Sequence, residues 1–351
     1  MVGVALLGAG IFARNEHLPA ILATPELELK AIYSRSQSSA QNLAGSLPKS
    51  DTPPVVYFDS PSVSGSSLDD LLARKDIDAV IVCLPILAQP DIIRKAWKAG
   101  KHVLSEKPIA KDICSAKALL EEYHALPDPK PVWAVAENYR FQECLKVAGQ
   151  KLKDVGGELI LFSFDMSTLV KTDNKYFNTA WRKVPEYQGG FLLDGGVHFT
   201  AALRYLLAAA NDKITSVKAS TSLLQPFLPP LDTIHGIVNT AGGRSGSFNV
   251  SFGNPFRSGF RLAISTTNGE VEMNPSEVKV TTLNSAGEKS EELITINKTT
   301  GVHEEVKAWA VSLRHSVVRP DQSPEEALCD LAVLEGLLKA GETHACEAVD
   351  A

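Results

Sequence analysis

Apolar and polar positions follow two different rhythms along the chain. In the first third, short apolar runs alternate with longer amphipathic stretches, as in the βαβ units that build a parallel sheet. Strands are predicted at residues 2–7, 27–33, 79–84, 102–104 and 132–136. Helices are predicted between them at residues 19–23, 38–47, 90–99 and 113–126, with Gly100 ending the third helix. Residues 49–67 are rich in Ser and Pro and predict a surface excursion with at most one short strand.

After about residue 137 the pattern is typical of a mostly antiparallel sheet. One helix at 142–153 leads into strand-like segments at residues 158–167, 214–224, 233–240, 245–252, 261–266 and 269–273. Asn268-Gly269 is a strong signal for a two-residue hairpin turn. Apolar helices are predicted to cover one face of this sheet, at residues 199–210, 306–317 and 324–339.

Length and composition favour a globular protein of two domains. The chain has 351 residues, of which 44% are apolar and 22% charged. No apolar run is long enough to cross a bilayer, and the N-terminus is interpreted as a first strand, so we expect a cytoplasmic protein with no membrane partner. The formal net charge of −6 and the scattered basic residues argue against nucleic acid as a partner.

The five cysteines are dispersed and show no pairing pattern. Cys-x-x-Cys spacing and nearby histidines at zinc spacing are both missing from the sequence. We therefore expect neither structural disulfides nor a metal site. The cysteines stand at Cys83, Cys114, Cys144, Cys329 and Cys346.

The first motif that carries chemistry is a G-x-G-x-x-A sequence directly after the first predicted strand. Gly8 permits a tight turn, Gly10 lets a pyrophosphate approach the backbone, and Ala13 allows close packing of the helix that follows. The position of the motif favours a dinucleotide site over a plain turn.

The end of the second predicted strand bears on which dinucleotide is bound. A site for NAD usually places an acidic residue about 20 positions beyond the glycines, where it accepts the ribose hydroxyls. Here the strand ends in Ser34, Arg35 and Ser36, without a carboxylate. We favour NADP(H) over NAD(H), because an arginine can hold the 2′-phosphate. A solvated arginine beside a helix-capping serine is the alternative interpretation.

The stretch HVLSEKPIAK, residues 102–111, places a charge pair before a proline at the end of another predicted strand. In an open parallel sheet, ligands bind at the carboxyl ends of the strands, so Lys107 is expected to face the cofactor. Glu106 is expected to fix the ammonium group or to contact a ribose, and Pro108 to restrain the backbone. A salt-bridged surface turn remains the alternative for this stretch alone.

A second polar cluster lies in GGFLLDGGVHFTAALRYLL. Asp194 and His198 are four residues apart, and we expect them at the N-terminus of a helix that Gly196 opens. A histidine near a carboxylate can be tuned for proton transfer near neutral pH. The alternative is that Asp194 caps the helix while His198 is satisfied in the core.

Together these residues resemble the Gfo/Idh/MocA oxidoreductase family, the group of glucose-fructose oxidoreductase, inositol dehydrogenase and dihydrodiol dehydrogenase. The resemblance covers nearly the whole chain. The glycine turn is generic, whereas the Glu-Lys-Pro and Asp-x-x-x-His elements in this order are specific. The segments that carry it are Gly8-Ala9-Gly10, AGKHVLSEKPIA at 99–110, ENYRF at 137–141, AWR at 180–182 and GGFLLDGGVH at 189–198.

The resemblance implies an α/β fold with an N-terminal Rossmann domain, residues 1–136, and a C-terminal α+β domain, residues 137–351. The second domain would carry a large, open, mostly antiparallel sheet that also forms a homodimer, and the active site would lie between the domains. Lys107, His198 and Asp194 would be catalytic, with Tyr139 near the cofactor. The cofactor-binding residues would be Gly8, Gly10, Ile11, Phe12, Ser34, Arg35, Leu84, Pro85, Glu106, Lys107, Asn138, Arg140, Trp181 and Arg182.

The implied activity is hydride transfer between NADP(H) and the carbonyl or secondary alcohol of a small polar molecule. One departure from the family matters, because Pro85-Ile86-Leu87-Ala88-Gln89 stands where many members have Pro-Asn-x-x-His. The substrate is therefore expected to be less sugar-like than in the best-known relatives. Two alternatives stay open: a cofactor-binding sensor without turnover, and an enzyme that uses the same scaffold for non-redox or recycling chemistry.

Overall fold

Two sheets divide the chain into two units, in a computed structural model that describes residues 1–49 and 52–350. The first unit comprises Met1–Glu137 and Val302–Ala327, and the second comprises Asn138–Gly301 and Leu328–Ala351. Of the predicted surface excursion at 49–67, residues 50 and 51 lie outside the described residues. Within those described ranges, the helices are too short or too polar to span a bilayer.

The first unit is built on a six-stranded sheet in which every neighbouring pair of strands is parallel. Its strands are β1 (Val2–Leu7), β2 (Leu27–Tyr33), β3 (Val55–Tyr57), β4 (Ala79–Val82), β5 (His102–Glu106) and β6 (Trp133–Ala136). Their order is β3-β2-β1-β4-β5-β6. The predicted parallel sheet is confirmed, and β3 is the short strand expected within 49–67. The order reverses between β1 and β4, which marks the ligand-binding point of such sheets.

Helices connect these strands, close to the predicted positions. The first is a π-helical turn at Ala13–His17 that continues into α1 (Leu18–Leu22), and its start lies ahead of the prediction because Arg14 N–H already donates to Gly10 O. One helix was not predicted; it begins at a capping box between Ser67 and Asp70. The remaining helices are α2 (Gln37–Ala44), α3 (Leu68–Leu72), α4 (Gln89–Lys98) and α5 (Ile113–His124).

The second unit contains a nine-stranded sheet, antiparallel except for one parallel pair, which confirms the predicted sheet type. Its helices are α6 (Glu143–Val155), α7 (Ala180–Lys183) and α8 (Phe191–Ala209). Its strands are β7 (Leu159–Ser167), β8 (Ile214–Ser222), β9 (Thr233–Thr240), β10 (Ser245–Ser251), β11 (Gly259–Thr266), β12 (Gly269–Asn274), β13 (Glu277–Leu283), β14 (Lys289–Thr295) and β15 (Glu347–Ala348). The order is β14-β13-β12-β11-β7-β10-β9-β8-β15, and β7 and β10 form the parallel pair.

Two details of this sheet correct the sequence prediction. The hairpin between β11 and β12 forms, but its two loop residues are Thr267 and Asn268, because Gly269 already pairs with Thr266. The sheet also extends further than predicted, through β13, β14 and β15. The residues of β14 are mostly polar and exposed, as is typical of a strand at a sheet edge, so their hydrophobic signal is weak.

Two long helices follow, α9 (Val302–His315) and α10 (Pro324–Thr343), joined through a 3₁₀ turn at Pro320–Gln322. The prediction that α9 covers the second sheet is wrong, because this helix packs in the first unit. Val302, Val306 and Trp309 join the same buried core as Leu6 and Ile21. The apolar spacing of a helix shows which face is buried but not which sheet it meets, so the sequence pattern suited either unit.

We predict that Trp309→Ala destabilises the first unit by about 3–5 kcal/mol, because the indole is fully buried in that core and its removal leaves a cavity. The matched control is Val311→Ala on the same helix, where the side chain is exposed, with an expected cost below about 0.5 kcal/mol. Urea unfolding followed by circular dichroism measures both. Equal, small losses in the two variants would contradict the assignment of α9 to this core.

Candidate active site

Gly8 sets the backbone geometry at the carboxyl end of β1. Its φ is +125°, and a Cβ built there would lie 2.1 Å from the carbonyl oxygen of Cys83, the residue that follows β4. The Gly8 N–H also donates to Tyr33 O at the end of β2. Only glycine allows both the backbone conformation and the contact, so this position holds three strand ends together.

Gly10 differs from Gly8 in its surroundings. It is exposed, and a Cβ built there would meet no atom of the described residues within 4 Å. The helical segment that begins at Ile11 and Phe12 follows at once. Open space beside a glycine at the start of a helix fits a pyrophosphate, which the backbone N–H groups and the helix dipole would bind.

The end of β2 presents an exposed arginine together with a carboxylate that the sequence prediction missed. Ser34 N–H donates to Tyr57 O, Arg35 is exposed, and Ser36 caps α2 by accepting from Ser39 N–H. Asp59, in the loop after β3, accepts the hydroxyl of Tyr33 at 2.7 Å. Burial and this hydrogen bond raise the pKa of the Tyr33 phenol. Asp59 follows β3, whereas the usual sequence spacing places the acidic residue at the end of β2.

The segment after β4 contributes the predicted cofactor contacts Leu84 and Pro85, which are both half-buried. A 3₁₀ turn at Ile86–Ala88 leads from them into α4. Gln89 is buried, and its side-chain oxygen has no hydrogen-bond partner among the described residues. The family's histidine position is thus filled by a buried amide.

The end of β5 carries the Glu-Lys-Pro element. The Glu106 side chain is 11% exposed, and its Oε1 lies 2.6 Å from Nε2 of His17, which is fully buried. Lys107 follows at once and is half-buried, and the Lys107–Pro108 peptide bond is cis. The sequence prediction named Glu106 and Lys107 but missed His17, whose partner is 89 residues away.

The second polar cluster lies in the first two turns of α8, with Asp194 in the first turn. The helix begins at Phe191, so the predictions that Gly196 opens it and that Asp194 caps it are both wrong. Gly190, with φ +54°, precedes the first turn. A residue four positions on lies one turn further along the same face, which places Asp194 and His198 side by side on the helix.

Asp194 is buried and paired with Arg182 from α7. The Arg182 Nε lies 2.7 Å from Asp194 Oδ2, and the guanidinium stacks 3.9 Å from the centre of the Trp181 ring. The buried hydroxyl of Tyr187 has no hydrogen-bond partner among the described residues. Burial and the Asp194 charge raise the pKa of the Tyr187 phenol, so the hydroxyl stays protonated at neutral pH.

His198 is half-buried and stacks on Tyr139, with ring centres 4.4 Å apart and planes only 10° from parallel. The residues on either side of Tyr139 in the sequence, Asn138 and Arg140, both bind other groups of the protein. Asn138 Nδ2 donates to Thr300 O at 2.6 Å, and the buried Arg140 forms an ion pair with Asp330 at 2.7 Å. These bonds brace the segment that carries Tyr139, while the cofactor contacts of Asn138 and Arg140 stay predictions.

The structure therefore brings the predicted residues together in two sets. In the first unit, the glycine turn, the β2 end, the β4 end and Glu106-Lys107 share the carboxyl edge of the parallel sheet. In the second unit, Asp194, Arg182 and Trp181 form one contact group on the face of α8 that also carries His198. The first set can bind a dinucleotide, and the second can orient a polar molecule and exchange a proton.

Alanine substitutions at the two glycines of the turn are expected to have different effects. Gly10→Ala keeps the thermal unfolding midpoint near that of the wild type but weakens binding of the nicotinamide dinucleotide about tenfold or more, because the methyl group enters the space for the pyrophosphate. Gly8→Ala lowers the midpoint, because its Cβ would overlap the Cys83 carbonyl. Calorimetry measures the midpoints, and fluorescence titration with NADPH and with NADH measures the affinities. Unchanged affinity for both dinucleotides in a folded Gly10→Ala variant would contradict this assignment.

Comparisons with known proteins agree with this geometry. Residues 2–126 match the sequence profile of an oxidoreductase family with an NAD-binding Rossmann fold, and residues 155–272 match the C-terminal domain of the GFO/IDH/MocA group. The chain is 48% identical over 339 residues to dehydrogenase FPY6 of Fusarium mangiferae, with 96% of each chain covered.

Two more distant proteins are similar to this chain over most of its length. A dTDP-3,4-didehydro-2,6-dideoxy-α-D-glucose 3-reductase of Saccharopolyspora spinosa is 30% identical over 269 residues, which cover 74% of this chain and 71% of the reductase. The crystal structure of an oxidoreductase from Thermotoga maritima superposes with a TM-score of 0.85 at 27% identity, over 99% of this chain and 98% of that one. The protein belongs to the Gfo/Idh/MocA family of oxidoreductases, whose Rossmann domain binds a nicotinamide dinucleotide.

Proposed function

We propose that this protein is an NADP(H)-dependent oxidoreductase that transfers a hydride between the nicotinamide and a carbonyl or secondary alcohol carbon. The observation that carries this proposal is the carboxyl edge of the parallel sheet, where the open Gly10 turn and the Glu106-Lys107 strand end lie on the same unit. The substrate is a small polar molecule of the sugar, diol or dicarbonyl type.

Lys107 stabilises the charge that develops on the substrate oxygen. Interconversion of a carbonyl and an alcohol passes through a developing alkoxide, and a fixed ammonium group stabilises such an oxyanion. Lys107 is half-buried and directly follows β5, an internal strand that pairs with β4 on one side and β6 on the other. The hydride chemistry itself is supplied by the nicotinamide cofactor.

His198 exchanges the proton with the substrate oxygen, and Asp194 orients the substrate. The parallel Tyr139 ring covers one face of the imidazole and restricts its rotation, which favours a single orientation of the ring nitrogens. The Asp194 carboxylate accepts a hydrogen bond from Arg182, which fixes its orientation. Ordered groups of this kind reduce the entropy lost when a substrate is aligned.

The polar substrate class is supported by the second unit and by the relatives. The cluster of Asp194, Arg182, His198 and the protonated Tyr187 offers acceptors and donors suited to hydroxyl and carbonyl groups. The reductase of Saccharopolyspora spinosa carries a nucleotide-linked deoxysugar in its name. Gln89 is buried and stands where many family members have a histidine. We therefore expect the substrate to carry its hydroxyl groups in a different arrangement from the substrates of those members.

The experiment is a panel of sugars, diols and dicarbonyls, with oxidation or reduction of the cofactor followed by absorbance. With the best substrate, Lys107→Met lowers kcat about 100-fold or more, because the oxyanion loses its ammonium partner. NADPH affinity, measured separately by fluorescence, changes by only a few fold. The matched control is the exposed Lys98→Met on α4, with unchanged kcat.

Near-normal turnover of Lys107→Met would remove this lysine from the mechanism. If the wild-type protein bound NADPH tightly but turned over no member of the panel, the result would contradict the enzyme proposal and support a cofactor-binding sensor instead.

The preference for NADP(H) is tested at Arg35, whose exposed side chain follows β2 beside two serines. Arg35→Leu raises the Kd for NADPH about tenfold or more and changes the Kd for NADH by less than about threefold, because only NADPH carries the 2′-phosphate. Arg314→Leu, an exposed arginine on α9, controls for the loss of one positive charge.

Two features argue for NADH, namely the carboxylate of Asp59 near the end of β2 and the NAD-binding description of the family. The Asp59 carboxylate already accepts the Tyr33 hydroxyl, which leaves Arg35 as the exposed charge of the β2 turn. Equal losses of NADPH and NADH affinity in Arg35→Leu would contradict the proposed preference.

A further inference from the structure

His17 ends the π-helical turn that follows the glycine motif. The wide turn at Ala13–His17 comes directly before α1, and π-helical turns inside α-helices occur frequently at functional sites. The imidazole is fully buried, and the Phe12 ring packs edge-on against it at 5.4 Å between ring centres. His17 is not among the residues predicted to bind the cofactor or to take part in catalysis.

The partner of His17 is the carboxylate of Glu106. The two atoms, Nε2 and Oε1, are 2.6 Å apart, and both side chains are shielded from solvent. A buried carboxylate is costly without a hydrogen-bond donor or a positive charge, and His17 supplies that donor. Loss of His17 would therefore leave Glu106 free to turn toward another cation.

The nearest such cation along the chain is the adjacent residue, Lys107, which the proposed mechanism places at the substrate oxygen. Glu106 is the last residue of β5 and is covalently bonded to Lys107, so a shift of the Glu106 backbone also moves Lys107. His17 lies in the helical segment that contains Phe12 and directly follows the glycine turn of Gly8 and Gly10. One hydrogen bond thus connects the predicted phosphate-binding turn with the catalytic strand end.

A metal ion is the other ligand class that these groups suggest, because His17, Cys83 and Glu106 offer ligand atoms within 4.8 Å of one another. Two ligands of one tetrahedral zinc ion lie about 3.3 Å apart, as follows from bond lengths near 2.0 Å. The observed 2.6 Å between Nε2 and Oε1 is shorter and corresponds to a charge-assisted hydrogen bond. The geometry therefore favours a hydrogen-bonded pair.

We propose that His17 is a positioning residue, which fixes the Glu106 carboxylate and thereby holds Lys107 in its catalytic position when the glycine turn binds the cofactor. This inference rests on the proposed function, because it assigns His17 to the same dinucleotide site and the same lysine.

The test compares His17→Leu with His17→Gln, in which the amide nitrogen can again donate to Glu106. Turnover of the fastest substrate of the panel is measured with saturating NADPH, and NADPH binding is measured by fluorescence titration. We expect His17→Leu to lower kcat about tenfold or more, since small misplacements of a catalytic group are costly, while KM for the substrate changes little. His17→Gln restores kcat to within a few fold of the wild type.

The matched control is His102→Leu, at the opposite end of the same strand. The His102 Nδ1 accepts the Val132 N–H at 2.8 Å, so this variant also removes a hydrogen-bonded histidine from the unit. We expect His102→Leu to lower the thermal unfolding midpoint without lowering kcat. An equal loss of kcat in His102→Leu would overturn the proposal, because it would indicate general destabilisation.

A double-mutant cycle with Glu106→Leu tests the pair itself. If His17 acts through Glu106, the double variant has a kcat no lower than the poorer single variant, whereas independent roles multiply the two losses. Multiplied losses, or a His17→Leu variant with wild-type kcat, would overturn the inference while leaving the proposed function intact. Failure of the wild-type protein to bind NADPH or NADH would instead overturn the proposed function, and the inference with it. If His17→Leu does not fold, His17→Gln and Glu106→Leu carry the comparison.

Discussion

The contact between Gly8 and the Cys83 carbonyl is the constraint on which the cofactor site depends. It joins the ends of β1 and β4, the two strands between which the order of the parallel sheet reverses. At such a reversal the connections leave in opposite directions, and a crevice opens at the carboxyl edge. A side chain at Gly8 would separate the ends of β1 and β4, which border that crevice.

Local signals were sufficient for most of the fold. β1 and β2 have the predicted bounds, because apolar runs ended by Gly or Ser specify short buried strands. The place of α9 could not be predicted, since Trp309 and its apolar neighbours would suit either sheet. The start of α8 was missed for a related reason, because Gly195 and Gly196 suggest a helix end, whereas Gly195 is needed where Phe252 approaches to 2.8 Å from its missing Cβ.

The residues of the candidate site also differ in how far they could be predicted from the sequence. Motifs with fixed spacing identified Lys107, Asp194 and His198, because each belongs to a short continuous segment. Two hydrogen-bonded pairs that no sequence motif indicates join residues far apart in the chain, namely His17 with Glu106 and Asp59 with Tyr33. Such pairs depend on tertiary contacts that a single sequence does not reveal, although an isolated histidine after a glycine motif is a signal worth testing.

The central claim is that the protein transfers hydride between the nicotinamide and a substrate carbon. A carbonyl substrate is reduced with NADPH that carries deuterium at both C4 positions, and the product is analysed by mass spectrometry. Hydride transfer predicts a product heavier by one deuterium, bound to carbon at the new alcohol centre. A product without the label, formed while NADPH is unchanged or recycled, would contradict it and would identify non-redox chemistry on this scaffold.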